Sequence, residues 1–415
     1  MTRARPPVAC FAMPERGHVA RLLPLAAGLA ARGHPVHVFT AAPYAALVQQ
    51  AGARFHDVFA HVPLDPADDS FPLPCRYVTY AADAGETLAA LAAAAGIRLV
   101  VHDSFAVGGR VVAERLAVPR VHVQAGHALD RSATLQWLAA EPRVHVSTAC
   151  RRAVDRLRER YGWAGVSPFA YIGEPGADLN VCCEPEEFLS RHERDAVRPV
   201  VFFGSLPVAA ASEVARTAPW LTRPAATPRS MYASFGTVAW RWYPEAALEA
   251  IRAVVRAASA RRIPLVVSLA GAALSETDRR ALIERGVTVV DMADQWRALH
   301  DADVFITHCG LNSTHEAVFK GTPMLAYPFF WDQPALADFC VRHDLGCRIA
   351  PTLLQPLEPA DVHAALDRLA ASRDSVAAGL RRARGWELRC LEGRGDALAQ
   401  IARIAEGAPA DVPAG

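Results

Sequence analysis

Apolar and polar positions fall into a repeating order along this chain, short apolar runs alternating with longer stretches of helical period. The first hundred residues set the pattern. "VACFAM" (8–13) predicts a buried strand and "VARLLPLAAGLAARG" (19–33) a helix closed at Gly33. "PVHVFTA" (35–41) predicts a second strand, and "PYAALVQQAG" (43–52) a helix closed at Gly52. "IRLVVHDS" (97–104), a helix to about 117, "RVHVQA" (120–125) and the helical "ACRRAVDRLRERYGW" extend it. Strand, helix, strand at this spacing implies a parallel sheet covered by helices on both faces.

The order lapses over 198–230, where five prolines and little periodicity in the second half read as a linker. It restarts with a strand at "MYASFGTV" (231–238) ending in a glycine turn, then the helix "AALEAIRAVVRAASARRI". Strands follow at "PLVVSLAG", "VTVVDM", "DVFITHCG" and "PMLAYPF". The expectation is two doubly wound α/β units facing across a cleft: residues 1–205, a linker 206–230, and 231–390. A last helix in 391–415 is expected to cross back to the first unit. Ligands of such sheets sit beyond the carboxyl ends of the strands.

Composition removes several function classes. The hydrophobic share of 52% indicates a folded chain, and the net charge of +1 leaves no basic footprint for nucleic acid. No apolar run reaches the ~18 residues of a membrane span; the Ala-rich "TLAALAAAAGIRLVV" stops short and contains Arg98. The apolar run after Arg3 and Arg5 is too short for a signal peptide. Nine cysteines without CxxC spacing suit reduced thiols, so a cytoplasmic protein is expected. No GxGxxG follows the first strand or the 231–238 strand, against a nicotinamide cofactor.

The chemistry concentrates in "THCGLNSTHEAVFKGTPMLAYPFFWDQ" (307–333). A strand enters, "HCGLNST" turns the chain, and a helix begins. His308, Asn312 and Ser313 therefore crowd a helix N-terminus, where free N–H groups favour a phosphate, and Gly310 admits it closely. Glu316, one turn on, can accept from vicinal hydroxyls such as those of ribose. Asp332 and Gln333, delivered by the returning strand, suit the hydroxyls of a sugar. Ribose, phosphate and sugar together describe a nucleotide sugar.

That segment resembles the donor-binding signature of the UDP-glycosyltransferase-like enzymes, glycosyltransferase family 1, with the GT-B fold. "MPERGHVARLLPLAAGLAARGHPVHVFT", "VVHDSF" and "ASFGTV" extend the likeness over most of the chain. The resemblance implies that His308, Asn312 and Ser313 hold the diphosphate, Glu316 the ribose, and Asp332 with Gln333 the transferred sugar. It implies that Thr237 contacts the phosphates, that His18 is the general base, and that Asp103 orients it. The residues themselves agree: both follow a strand of one sheet, at its carboxyl edge. A His whose second ring nitrogen meets a carboxylate is held in one tautomer and is a better base near neutral pH.

Two departures from the family pattern matter. Where the family carries Trp-x-Pro-Gln, this chain has "MADQ", so Met292 stands for the base-stacking Trp while Gln295 survives. UDP and dTDP donors both stay open, with Trp296 a candidate to compensate. Arg21 stands where many relatives have Pro, and is expected to meet a polar or anionic acceptor. "DAD" at 301–303 imitates a metal-binding motif but precedes its strand, and no metal is expected.

The resulting expectation is an inverting, metal-independent hexosyltransferase. It moves a glucose-like sugar from a UDP- or dTDP-sugar to a hydroxyl of a small molecule, a bacterial natural product. Two other readings use the same residues: an epimerase or hydrolase of the nucleotide sugar, and a non-catalytic nucleotide-binding helper of a partner enzyme.

Overall fold

The computed structural model describes residues 4–124, 126–127, 131–172, 176–214 and 228–408. The chain divides into two units, Met1–Pro207 with Glu392–Gly415, and Val208–Leu391. Residues 215–227, most of the expected linker, lie outside the described residues.

The first unit is built on seven strands: β1 (Val8–Phe11), β2 (Val36–Thr40), β3 (Arg54–Asp57), β4 (Leu99–Asp103), β5 (Arg120–Val123), β6 (Leu179–Cys182) and β7 (Val200–Phe202). They pair in parallel in the order β3-β2-β1-β4-β5-β6-β7. Every residue of β1, β2, β4, β5 and β6 is buried, as a parallel sheet covered on both faces requires. Helix Val107–Leu116 lies close on the centre of this sheet. A Cβ on its Gly109 would stand 2.6 Å from the His102 Cβ and 3.1 Å from the Phe11 Cβ. Helix Arg16–Ala31 continues through Pro24. The carbonyl that the proline cannot reach belongs to Ala20, an exposed residue.

The second unit repeats the plan with β8 (Met231–Ser234), β9 (Leu265–Ser268), β10 (Thr288–Val290), β11 (Val304–Thr307), β12 (Met324–Ala326) and β13 (Gly346–Arg348). Their order is β10-β9-β8-β11-β12-β13, all parallel. The last helix, Arg373–Ala405, belongs to the second unit as far as Leu391 and to the first from Glu392. Its Leu398 packs on helix Arg16–Ala31, Cδ1 standing 2.4 Å from where a Cβ on Gly28 would be.

Several elements differ from the sequence reading. Helix Pro74–Ala94 was not read from the sequence. Helix Arg131–Ala140 was not read from it either, whereas helix Thr148–Tyr161 agrees with the helical "ACRRAVDRLRERYGW". "GTV" after β8 begins helix Gly236–Trp242. β12 ends at Ala326 because Pro328 has no N–H for a ladder, so Asp332 and Gln333 arrive on an irregular turn.

Candidate donor and catalytic sites

In the first unit β1 and β4 are neighbours although far apart in sequence, so their carboxyl ends form the sheet's switch point. His18 stands on the first turn of helix Arg16–Ala31, just after β1, and Asp103 ends β4. His18 Nδ1 lies 3.4 Å from Asp103 Oδ1. That is an ion-pair distance outside hydrogen-bond geometry, and His18 Nδ1 makes no hydrogen bond among the described residues. Bonds of this kind tighten when substrate arrives.

Asp103 is fixed by backbone. Its Oδ2 accepts from the Met13 N–H at 2.6 Å, and its Oδ1 from those of Phe105 and Ala106 at 2.8 and 3.1 Å. Burial pushes its pKa up, but the facing His18 and these N–H groups outweigh burial and hold it below the usual carboxylate range. An ionised carboxylate facing Nδ1 keeps the ring proton there and leaves Nε2 as the basic nitrogen. The aspartate thus both braces the β4 turn and faces the histidine. Arg21, expected to await an acceptor, is instead 7% exposed and donates to the Gln124 carbonyl at 3.4 Å.

In the second unit the equivalent switch point lies between β8 and β11. β8 runs into Gly236 and β11 into His308, whose ring is wedged between two glycine turns. A Cβ on Gly236 would stand 2.7 Å from His308 Nε2, and one on Gly310 would stand 2.4 Å away. Gly236 also has φ +67, a region costly for other residues. Burial pushes the His308 imidazole down to about 4, against an opposing contribution from the Ser234 backbone. The ring is therefore neutral at pH 7, and would meet a phosphate as an N–H donor rather than as a cation.

This depression has a measurable sign. The unfolded chain takes up the proton near 6.5 and the folded chain near 4. Stability is accordingly lost as pH falls through that window, by at most about 3 kcal/mol. His308→Gln is expected to flatten the fall of the melting temperature between pH 6.5 and 4, followed by calorimetry.

Gly310 is the N-cap of helix Leu311–Lys320 and supplies no side-chain acceptor to its first turn. Asn312 and Ser313 sit in that first turn. Gln295 opens helix Gln295–Asp301, whose N-cap Asp294 accepts from the Arg297 N–H at 3.2 Å. The Gln295 Nε2 donates to Glu316 Oε2 at 2.8 Å and to Ser313 Oγ at 3.1 Å. Three residues singled out from sequence are thus one hydrogen-bonded cluster. Thr237, in the first turn after β8, and Asn312 are both partly exposed.

Met292 follows β10 with 44% of its surface exposed, its Cε 3.4 Å from where a Cβ on Gly271 would be. Trp296 does not compensate for it. Its ring stacks on Phe319 at 5.2 Å, carries the Lys320 ammonium 3.8 Å from its centroid, and donates to Glu213 at 2.8 Å. Those contacts commit the indole to packing. Asp332 and Gln333 are both buried, and Asp332 makes no side-chain cap to the helix it precedes. Gln333 Oε1 accepts from the Phe329 N–H at 2.9 Å and the Phe330 N–H at 3.4 Å. Its carbonyl is therefore spent on the turn, and its NH2 is the end a sugar hydroxyl can meet. Gln333→Glu keeps an acceptor for the turn and removes that donor. It is expected to raise the KM for the sugar donor about 2- to 12-fold, the loss of one hydrogen bond, with the melting temperature little changed.

Three further features were not legible as functional. Gly236 gives room to His308 from a distant turn. His315, fully buried, bonds Glu387 of helix Arg373–Ala405 at 2.5 Å and so anchors the helix that carries Asn312, Ser313 and Glu316. Phe105 packs on His18, ring centroids 4.9 Å apart. In "DAD", Asp303 accepts from the Arg229 N–H at 2.7 Å and from its guanidinium, at the amino end of β11 and away from Gly310. Cys309 is fully buried, as a packed residue.

Several known proteins are similar to this chain. Residues 232–369 match the family model described as UDP-glucoronosyl and UDP-glucosyl transferase. Zeaxanthin glucosyltransferase of Pantoea ananas is 26% identical over 262 residues, 60% of this chain and 59% of that relative, so the match spans less than two thirds of its length. The crystal structure of the glycotransferase of kitacinnamycin superposes with a TM-score of 0.72 at 24% identity, over 96% of this chain and 99% of that one. A UDP-glucose: anthocyanidin 3-O-glucosyltransferase in complex with UDP gives 0.70 at 17% identity, over 98% and 100%. No helix among the described residues is long and apolar enough to cross a membrane. The second unit thus carries the sequence match to that family model, and the chain throughout has the fold of GT-B glycosyltransferases.

Proposed function

We propose that the protein transfers a glucose-like hexose from a UDP- or dTDP-sugar to a hydroxyl of a small molecule, inverting the anomeric centre without a metal. The observation that carries the reading is the turn at 308–313, where a neutral imidazole lies against the uncapped N-terminus of helix Leu311–Lys320, a pairing that suits an anion. Glu316, held by Gln295, takes the ribose hydroxyls; Asp332 and the Gln333 NH2 take those of the sugar; Thr237 and Asn312 complete the phosphate contacts. Met292 covers the base with a flexible thioether instead of a flat ring, which admits the thymine methyl as readily as uracil.

The His18–Asp103 pair favours transfer over mere binding. His18 Nε2 takes the proton as the acceptor oxygen attacks the anomeric carbon, the bond from that carbon to the phosphate oxygen breaks, and the nucleoside diphosphate leaves. Attack opposite the leaving group turns an α-linked donor into a β-glycoside. The helix N-terminus and the His308 N–H carry the leaving charge, which is the work a metal does elsewhere. A natural-product acceptor is in keeping with the kitacinnamycin enzyme's likeness. The nine cysteines, none in a disulfide, suit a reducing compartment, and the reading places the reaction in the cytoplasm.

The test is incubation with UDP-glucose or dTDP-glucose and a panel of hydroxyl compounds in EDTA, with products followed by mass spectrometry and the anomer by NMR. A β-glycoside formed in EDTA supports the reading. Free glucose, or an epimerised donor, without any glycoside would replace it with hydrolysis or epimerisation.

A further inference from the structure

Beside the base lies a run of aromatic side chains that the transfer chemistry does not use. The Phe105 ring packs on His18 with centroids 4.9 Å apart and planes at 36°. Tyr171 meets Phe105 edge to face, at 5.2 Å and 81°, and Phe169 meets Tyr171 the same way at 6.3 Å and 76°. The corner is built rather than incidental. The Phe105 N–H is bonded to the same Asp103 oxygen that faces His18, which fixes the ring's backbone to the dyad. Tyr171 is 2% exposed and its hydroxyl lies 3.7 Å from Cys75 Sγ, so its own ring is set from behind. Phe105 itself stays partly exposed.

A rigid ring that touches the base from one side is a poor neighbour for a hydrated polyol and a good one for another ring. Offset or edge-on aromatic contacts stabilise a ring beyond its buried area, by an amount equivalent to about 2- to 12-fold in binding. Polar groups left without partners against such a wall lose affinity instead. We infer that Phe105, braced by Tyr171, selects acceptors whose reacting hydroxyl is carried on an aromatic ring, a phenol, over saturated alcohols and sugars. This deepens the proposed glycosyl transfer and rests on it.

The experiment compares wild type with Phe105→Leu and Phe105→Ala on paired acceptors, a two-ring phenol and its ring-saturated alcohol, with UDP-glucose or dTDP-glucose. Wild type is expected to prefer the phenol at least 5-fold in kcat/KM, chiefly through KM. Phe105→Leu keeps an apolar side chain against His18 and is expected to bring the ratio towards that of the intrinsic acceptor reactivities, which free imidazole in solution calibrates. Loss of rate on both acceptors by the same factor, in both variants, would make Phe105 only a support for His18 and overturn the selectivity. A wild type that prefers the saturated alcohol would overturn it too. UDP affinity, measured alongside, separates the two levels: a wild type that binds UDP yet glycosylates neither acceptor contradicts the transferase reading itself, and with it this inference.

Discussion

His18→Ala is expected to lower kcat by about 10²- to 10⁴-fold while leaving the affinity for UDP within about twofold of wild type. The loss falls on kcat because the imidazole acts only as the acceptor oxygen sheds its proton, and not in holding the donor. His18 belongs to the first unit, whereas the residues assigned to the nucleotide belong to the second. Asp103→Asn is expected to lower kcat as well, since an amide facing Nδ1 no longer favours the proton there. It also weakens the turn, because Asp103 accepts from three backbone N–H groups. A melting temperature taken with the kinetics separates those effects. Full transfer by His18→Ala would remove the base from the mechanism.

Gly310→Ala is expected to weaken UDP binding by 10-fold or more with little loss of stability. The added methyl meets His308 Nε2 at 2.4 Å, and a side-chain ring relieves that overlap by rotating away, whereas backbone would resist. The wedge between the two turns is then lost and the phosphate loses its N–H donor. His308→Ala should cost a similar amount, since it deletes the same donor. Gly310→Ala combined with His308→Ala should cost scarcely more than either alone, because both act on one interaction. Additive losses, followed by calorimetric titration, would mean that Gly310 serves the phosphate by its own close approach instead.

The two halves of the fold were unequally legible. β1, β2, β4 and β11 were read from sequence because each is a mainly apolar run between turn residues. β3 was missed: "RFHD" is polar and only partly buried, as suits an edge strand with one neighbour. β13, "GCR", is too short to carry a period. Helix Pro74–Ala94 hid behind prolines at its start and an Ala-rich end that resembled a failed membrane span.

The site was legible where its residues are near in sequence. The spacing of Gly310, Ser313 and Glu316 fixes one helix face, so their grouping followed from helical geometry. The wedge of Gly236 on His308 joins two strands that only the sheet order makes neighbours. Rotamers were beyond reach for a different reason. Gln333 turning its carbonyl into the turn, and Trp296 turning towards Phe319, are settled by packing partners that no spacing rule names.

Titration of UDP into the protein in EDTA, repeated with His18→Ala and Glu316→Ala, is the most direct test of the central division between a base and a donor site. Wild type is expected to bind without metal, His18→Ala to bind equally well, and Glu316→Ala to lose 10-fold or more, since its missing carboxylate also releases Gln295. Absence of UDP and dTDP binding by the wild-type protein, or binding undiminished in Glu316→Ala, would contradict that division.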